Sequence, residues 1–290
     1  MNIAVTGASG YIGKKLVRHF LGCADKVLAV TRNKNKGLES LEEEYKSLLS
    51  IAYVGSDDMP AIMRDFLPDA VYSTSCCYES SLESIRRSIE ANYLFPAEIL
   101  GMILGLGECR KIRFISIGTS LPANLNLYAR TKSCFVDLGK FLSESGSIQY
   151  IDVRLESFYG SGEPEGRFIP RSIRSMKLNE GLDVTDGTQL RDYVSSDDVI
   201  KVLAFLGKTP LADGNFYSVP LGSGIAPSVR EILEYLKKIT GSKSEIHFGA
   251  IKPRKNEPSS VADLSILREL GYKDSFTFWK DGMRKVAEEL

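Results

Sequence analysis

The amino-terminal segment constrains the fold more than any other part of the sequence. From Asn2 it reads "NIAVTGASGYIGKKLVRHFLG", an apolar strand, a glycine-rich turn and a helix with an apolar stripe. The strand pattern returns in "KVLAVTR", "SIAYVGSD", "DAVYSTS", "KIRFISIG" and "IQYIDVRL", with helical patterns between several of these runs. Such alternation is typical of parallel strands covered by helices on both faces. We therefore predict an α/β fold built on a doubly wound parallel sheet.

The regular alternation ends after Arg154. A Gly/Pro-rich loop, "ESFYGSGEPEGRF", is followed by a mixture of helical patterns and short strands. Two later segments, "SSDDVIKVLAFLGK" and "FYSVPLGSG", resemble elements that return to the first sheet. We predict a first domain over residues 1–155, to which residues 186–220 return, and a smaller, interleaved carboxyl-terminal domain over most of 156–290.

The composition excludes several classes of protein. Lys+Arg and Asp+Glu both count 37, so the chain lacks the basic excess of a general nucleic-acid binder. No apolar run reaches membrane-spanning length, and no signal sequence precedes the first strand. Two histidines, and five cysteines without a CxxC motif, argue against a metal site. We expect a cytoplasmic protein without a metal, membrane or nucleic-acid partner.

The glycine-rich turn predicts a phosphate site. Gly7, Gly10 and Gly13 lie between the first strand and the first helix, and Tyr11 and Ile12 begin that helix. This placement lets the backbone approach a pyrophosphate, whose charge then meets the positive end of the helix dipole. We therefore expect these five residues to bind a dinucleotide in a Rossmann domain. The alternative is a tight turn without a ligand.

The end of the second strand indicates which dinucleotide binds. It reads "VTRNKNK" and contains Arg32, Asn33 and Lys34 but no acidic residue. A carboxylate at this point would bind the ribose hydroxyls of NAD, whereas a guanidinium can pair with the 2′-phosphate of NADP. We favour NADP(H), bound by Arg32 and Asn33. The alternative is a solvated basic loop.

A tyrosine and a lysine share one helix face in "LNLYARTK". Tyr128 precedes Lys132 by four positions, so their side chains lie one turn apart. The pair is either a surface coincidence or a proton donor with its electrostatic partner, and the spacing alone does not decide between them.

Taken together, the motifs resemble those of the extended short-chain dehydrogenase/reductases, the nucleotide-sugar epimerase, dehydratase and reductase group. The resemblance covers nearly the whole chain. Besides "TGASGYIG" and "YARTK" it includes "EANYLFPAEIL", "VRLESFYGSGE", "QLRDYVSSDDV" and "FYSVPLGSGIAPSVREI". Several matches in the same order are more specific than any single one.

The resemblance implies a catalytic set of Thr119, Tyr128 and Lys132. Tyr128 would exchange a proton with the substrate, and Thr119 would orient the substrate carbonyl. Lys132 would bind the nicotinamide ribose, and its ammonium together with a cationic nicotinamide would lower the pKa of the Tyr128 hydroxyl.

The resemblance also assigns binding residues outside the catalytic set. Further cofactor contacts are expected from Asp57, Ser75, Cys76 and Asn92. The expected substrate contacts, besides Thr119, are Ser157, Phe168, Arg191 and Arg254. The two arginines would hold a nucleotide diphosphate, although for Arg254 a surface position is an equally good interpretation.

Departures from the family pattern help to select a reaction. Ser120 and Leu121 follow Thr119 where dehydratases of the group carry an Asp-Glu pair, so dehydration is disfavoured. Arg32 argues against an epimerase, which usually has an acidic second strand. Only nine positions separate Thr119 from Tyr128, as in the sugar-nucleotide 4-ketoreductases of the abequose and paratose synthase type.

We therefore expect NADPH-dependent reduction of the 4-keto group of a nucleotide-linked 4-keto-6-deoxy or 3,6-dideoxy hexose. Such deoxysugars enter surface polysaccharides, including the O-antigen of lipopolysaccharide. The alternatives are an NAD-dependent nucleotide-sugar epimerase and a non-catalytic dinucleotide sensor. The resemblance also implies a homodimer that pairs through the long helix over residues 81–105 and the Tyr128 helix.

Overall fold

The computed structural model describes residues 1–78, 84–106, 111–144, 146, 148–211, 216–253 and 258–290. The chain divides into two compact units. Unit 1 comprises Met1–Arg154 and Val202–Val219, and unit 2 comprises Leu155–Lys201 and Pro220–Leu290. The return to unit 1 begins later than the predicted residue 186, because Leu190 bridges to Ser228 within unit 2.

Eleven strands and eleven α-helices are found in the described residues. The strands are β1 Asn2–Thr6, β2 Lys26–Thr31, β3 Leu49–Tyr53, β4 Ala70–Ser73, β5 Ile112–Ile117, β6 Ile148–Leu155, β7 Ser157–Tyr159, β8 Leu182–Val184, β9 Tyr193–Ser195, β10 Phe216–Leu221 and β11 Ile246–Phe248. The helices are α1 Tyr11–Gly22, α2 Lys36–Glu44, α3 Met59–Phe66, α4 Ile85–Ile89, α5 Phe95–Leu104, α6 Leu127–Ser143, α7 Phe168–Lys177, α8 Ser196–Lys208, α9 Val229–Thr240, α10 Ser265–Glu269 and α11 Trp279–Glu289.

Seven strands form one sheet in the order β10-β6-β5-β4-β1-β2-β3. The neighbours from β6 to β3 are all parallel. The order reverses between β1 and β4, and at such a switch point the loops that follow the two strands diverge and leave a crevice. The predicted doubly wound sheet is confirmed, and its crevice lies beyond Thr6 and Ser73.

Apolar strands and helix stripes explain the core of unit 1. β1, β2, β4 and β6 are buried almost throughout, as expected for parallel strands with helices on both faces. The Tyr150 ring of β6 stacks on Phe114 and contacts Phe135 of α6. Gly139 of α6 lies against the same ring, so α6 packs closely on β6.

The helix predicted from Ser81 to Gly105 is interrupted. Residues 79–83 lie outside the described part of the chain, and α4 begins at Ile85. A π-helical turn over Glu90–Leu94 then joins α4 to α5. Such a turn inserts one residue into the helical repeat, and it is common at functional sites.

Unit 2 contains two small parallel pairs, β7 with β9 and β8 with β11. Its apolar core is built from α7, α9 and α11, and buried residues include Ile173, Leu233 and Met283. In the described part of the chain, no helix combines the length and the apolar character needed to cross a membrane.

Candidate active site

The glycine turn packs against the end of β4. Gly7 has a φ of +70°, and a Cβ on it would lie 2.7 Å from the backbone nitrogen of Ser75. A Cβ on Gly13 would overlap the carbonyl oxygen of Gly7. Gly10 is the N-cap of α1 without any side-chain cap, and the first turn of α1 contains no acidic residue. The helix terminus therefore suits an anion held by backbone N–H groups.

The other two predicted contacts of the turn differ from each other. Ile12 is buried in the core beneath α1, so its side chain stabilises the helix, and only its backbone is available to a ligand. Tyr11 is partly exposed, and the ammonium of Lys15 lies 5.5 Å from the centre of its ring.

The end of β2 is tied to the glycine turn. The hydroxyl of Thr31 donates to the hydroxyl of Ser9 at 2.9 Å and to the carbonyl of Asn33 at 3.2 Å. Arg32 and Asn33 are exposed at this edge. Arg32, which is predicted to bind the 2′-phosphate, thus directly follows Thr31, whose side chain contacts the glycine turn.

Asp57 is engaged within its own turn after β3. Its carboxylate accepts the backbone N–H of Tyr53 at 2.7 Å and the hydroxyl of Ser56 at 3.3 Å. The side chain is exposed, so these bonds orient it without burying it. A cofactor contact at Asp57 stays a prediction.

Lys132 is buried between two carbonyl groups. Its ammonium donates to the carbonyl of Ser75 and to that of Ile117, both at 3.0 Å. Only 4% of the residue is exposed, and burial lowers the pKa of the ammonium, while Cys76 and Asp152 oppose that shift. The lysine thus joins the loops that follow β4 and β5.

The side chain of Tyr128 contacts that of Thr119. The Tyr128 hydroxyl is hydrogen-bonded to the side chains of Thr119 and Cys76. The ring of Tyr78 lies 4.7 Å from the ring of Tyr128, centre to centre. The structure therefore brings Thr119, Tyr128 and Lys132 together at the carboxyl ends of β4 and β5.

The pKa of Tyr128 is raised in the protein without cofactor. Burial raises it above the ordinary value, and the neighbouring Cys76 and Tyr78 raise it further. The Thr119 hydrogen bond lowers it by less. Without the cofactor, desolvation of the phenolate dominates; the predicted lowering depends on a bound cationic nicotinamide and stays a prediction.

The Asn92 side chain links the loop after β4 to α6. It is fully buried in the π-helical turn, and its amide group accepts the N–H of Cys77 at 2.8 Å. The same amide donates to the carbonyl of Cys77 at 3.0 Å and to the Thr131 hydroxyl at 3.1 Å. These bonds use the amide to hold the loop that carries Ser75 and Cys76, and a cofactor contact at Asn92 stays a prediction.

The family model of the NAD dependent epimerase/dehydratase family matches residues 3–219, which include the glycine turn and Thr119, Tyr128 and Lys132. The chain belongs to the NAD dependent epimerase/dehydratase family. The resemblance seen in the sequence is thereby confirmed at the level of the family.

Two relatives align with nearly the whole chain. CDP-abequose synthase of Salmonella typhimurium is 25% identical over 302 residues, which are 99% of this chain and 98% of the relative. ADP-L-glycero-D-manno-heptose-6-epimerase of Brachyspira hyodysenteriae is 28% identical over 323 residues, 99% of this chain and 97% of the relative.

The fold is also that of solved family structures. UDP-glucuronic acid 4-epimerase from Bacillus cereus, in complex with UDP-glucuronic acid and NAD, superposes with a TM-score of 0.85. The superposition covers 100% of this chain and 98% of that chain at 22% identity, so the likeness concerns the fold alone.

A nicotinamide dinucleotide, the cofactor of this family, fits the residues at the crevice. The glycine turn leaves no room for side chains, the terminus of α1 is uncapped, and Arg32 is exposed beside it. Lys132 uses two of its three N–H donors on carbonyls, so one donor remains for a ribose hydroxyl.

The predicted substrate residues other than Thr119 belong to unit 2. The Ser157 hydroxyl donates to that of Tyr193, and Phe168 is the first residue of α7, packed on the apolar core. Arg191 is mostly buried and donates to the carbonyls of Leu190 and Pro258. Arg254 lies outside the described residues. The substrate roles of all four stay predictions.

Asp192 fixes the segment that carries Arg191. Its buried carboxylate accepts four donors: the N–H and hydroxyl of Ser223 and the N–H groups of Gly224 and Ala262. A carboxylate satisfied in this way is a structural anchor. Asp192 therefore holds Arg191 in place.

Two residues near the predicted catalytic set were not singled out from the sequence. Tyr78 contacts the Tyr128 ring, and nothing in its neighbourhood in the sequence indicates this. Asp152 is a buried acid in the apolar strand β6. An acidic residue inside the otherwise mostly apolar run "IQYIDVRL" could have singled it out in the sequence. Among the described residues, no group of His, Cys, Asp and Glu side chains could hold a metal ion.

Proposed function

We propose that the protein is an NADPH-dependent sugar-nucleotide 4-ketoreductase. The observation that carries the proposal is the hydrogen bond between Thr119 and Tyr128, with Lys132 buried one turn along the same helix. The substrate is a nucleotide-linked 4-keto-6-deoxy or 3,6-dideoxy hexose. The product is a deoxysugar nucleotide, a precursor of surface polysaccharide.

The residues of unit 1 would hold the dinucleotide. Backbone N–H groups in the first turn of α1 would bind the pyrophosphate, and Lys132 the nicotinamide ribose. Arg32 would pair with the 2′-phosphate, which supports NADPH over NADH. When bound, the cofactor supplies the hydride that reduces the carbonyl carbon.

Tyr128 supplies the proton for the reduction. Because burial raises its pKa, the phenol carries a proton at neutral pH, and it can pass this proton to the carbonyl oxygen as the hydride reaches the carbon. The Thr119 hydroxyl would donate a hydrogen bond to the same oxygen and so orient the ketone. The products are a secondary alcohol and a Tyr128 phenolate, which is reprotonated from solvent.

The relatives support nucleotide-sugar chemistry, in two variants. The name CDP-abequose synthase, given to relatives 25% and 27% identical to this chain, agrees with the ketoreductase type that the sequence resembles. The heptose-6-epimerase relative, 28% identical, supports an epimerase as a second candidate. Arg32 favours the reductase, because a reductase consumes NADPH whereas an epimerase recycles a bound cofactor.

The test is loss of absorbance in the reduced-nicotinamide band. Purified protein is mixed with NADPH or NADH and with CDP-, dTDP-, GDP- or UDP-linked 4-keto-6-deoxy sugars. We expect NADPH oxidation with one sugar class, reduced by at least about a hundredfold in Tyr128→Phe. Tyr78→Phe is the matched control, since it removes a hydroxyl from the neighbouring ring and should retain most of the activity.

The epimerase predicts a different result. NAD would be released when the purified protein is denatured, and no sugar would cause net NADPH oxidation. A non-catalytic sensor would bind the dinucleotide with the same affinity in wild-type protein and in Tyr128→Phe, and it would turn over no sugar.

A further inference from the structure

Asp152 is a buried acid whose hydrogen bonds do not explain its presence. It is 3% exposed in β6, where its neighbours Ile151 and Val153 are fully buried. One carboxylate oxygen accepts the hydroxyl of Ser218 at 3.2 Å. The other oxygen has no hydrogen-bond partner in the described part of the chain. Buried carboxylates that serve only the fold are normally satisfied, so this one requires another reason.

The side chain of Asp152 points toward α6. Side chains alternate along a strand, so Asp152 lies on the same face as Tyr150. The Tyr150 ring contacts Phe135 and Gly139 of α6. Lys132 precedes Phe135 by three residues, one turn closer to the carboxyl end of the sheet, where Asp152 also lies.

Lys132 and Asp152 contact the same short segment of the chain. Lys132 donates to the carbonyl of Ile117 at 3.0 Å. A Cβ on the next residue, Gly118, would overlap the free carboxylate oxygen of Asp152. Thr119 follows directly. The ammonium and the carboxylate thus both lie close to the peptide that leads to the predicted catalytic threonine.

We propose that Asp152 is a positioning residue that keeps Lys132 protonated, as the buried counter-charge to its ammonium. Its effect passes through Lys132, and it touches neither substrate nor cofactor in this assignment. The role of Lys132 in catalysis rests on the proposed function, whereas the charge coupling does not.

The electrostatics of the surrounding groups agree with this assignment. Burial lowers the pKa of Lys132, and the carboxylate of Asp152 raises it. Burial raises the pKa of Asp152 to about 6, while Ser218, Arg154 and Lys132 lower it. Arg154 is exposed and therefore screened by solvent.

Two further titratable side chains, in separate elements, face the pair. Tyr150 faces Asp152 along β6, and Cys76 faces Lys132 from the loop after β4. Near neutral pH Asp152 is thus the ionised group that offsets the cost of burying the lysine.

The test measures Lys132 directly, without cofactor or sugar. Isotope-labelled lysine is incorporated, and NMR of the ammonium groups is recorded against pH, with the Lys132 signal identified by its loss in Lys132→Met. In Asp152→Asn, which keeps the shape of the side chain, we expect Lys132 to lose its proton about one pH unit lower than in wild type. Ser218→Ala, which keeps the charge, should leave that midpoint unchanged.

The wild-type protein provides a second test that needs no substitution at Asp152. As Asp152 ionises, the Lys132 signal should shift with a midpoint near pH 6, and Ser218→Ala should move that midpoint to higher pH. Equal Lys132 titrations in wild type and Asp152→Asn, or a wild-type signal that does not respond near pH 6, would overturn the proposal. Because neither measurement uses a substrate, a failed reductase assay leaves it standing.

Discussion

The side chains around Tyr128 keep its hydroxyl protonated at neutral pH. Burial, the Cys76 sulfur and the Tyr78 ring all raise its pKa, and only the Thr119 hydroxyl opposes them. A phenol in this state is an acid ready to donate. A group required to remove a proton first would need a cationic neighbour to lower its pKa, and bound oxidised nicotinamide would provide one. A protonated Tyr128 agrees with its proposed role as the acid in a carbonyl reduction.

At Arg32 the prediction concerns the cofactor. Arg32→Ser should weaken NADPH binding about 10- to 100-fold, the range expected when hydrogen bonds to a charged group are lost, and should leave NADH binding nearly unchanged. Binding is followed by the fluorescence of the reduced cofactor. Lys36→Ser is the matched control, because it removes an equal charge from the same segment. If both variants lowered the affinity for both cofactors alike, Arg32 would act only through long-range electrostatic attraction and not by pairing with the 2′-phosphate.

Asp152 also predicts a pH dependence of stability. Its pKa is about 6 in the folded protein against 3.8 unfolded, so the folded state binds this proton more tightly and loses stability as the pH rises between those values. Asp152→Asn should escape this loss. Its free energy of unfolding relative to wild type should rise by up to about 3 kcal/mol between about pH 4 and about pH 7.5.

Urea unfolding at both pH values checks the Asp152 prediction. A constant difference between wild type and Asp152→Asn across this range would contradict the raised pKa. A variant that gains stability while Lys132 loses its counter-charge would show a trade between stability and function.

At the level of elements, the π-helical turn joins α6 to the loop after β4. The extra residue of the turn directs the Asn92 amide away from the regular helix pattern, onto the Cys77 backbone and the Thr131 hydroxyl. One side chain thereby fixes both the loop with Ser75 and the helix with Lys132. The geometry of the predicted catalytic set depends on this link.

Asn92→Asp tests the link. The variant replaces an N–H donor by an oxygen that faces the Cys77 carbonyl, so we expect about 1–3 kcal/mol of destabilisation near neutral pH. The loss should shrink as the pH is lowered, because the introduced carboxyl group can donate once it is protonated. Thr131→Val removes only one partner and should show a smaller loss without this recovery. Equal, pH-independent losses in both variants would speak against the link.

The elements that the sequence predicted share a strong local signal. The apolar runs of β1 to β6 and the long stripe of α6 are visible in any window of the sequence. The three-residue strands β7 and β9 are too short to show alternation, and the π-helical turn lies inside an apolar segment that predicted one continuous helix. The role of Asn92 and the location of Asp152 opposite Lys132 depend on contacts between elements, which no local pattern contains.

At the scale of the whole molecule, four large apolar side chains are exposed on neighbouring parts of the sequence-predicted dimer helices of unit 1. Ile85, Ile89, Leu94 and Phe141 are exposed on α4, the π-helical turn and α6, and Phe141 is 69% exposed. The sequence resemblance predicts a homodimer through these helices, where exposed apolar side chains would be buried. The residues could be assigned to helices from the sequence, but their exposure could not.

Phe141→Asp should therefore convert a dimer into a monomer. The introduced charge would have to be buried without a partner, which costs several kcal/mol in an apolar interface. Light scattering coupled to size-exclusion chromatography measures the mass directly. Leu178→Asp is the control, because Leu178 is similarly exposed at the end of α7 in unit 2. A wild-type protein that is already monomeric at tens of micromolar would refute the prediction.

The close contacts of the glycines have a genetic consequence. Added atoms at Gly7 and Gly13 would collide with main-chain atoms, which every residue carries, whereas at Gly139 and Gly207 they would collide with the side chains of Tyr150 and Tyr72. A selection for second-site suppressors should thus recover Gly139→Ala or Gly207→Ala through smaller residues in place of the tyrosines. Lesions at Gly7 and Gly13 should revert only to glycine.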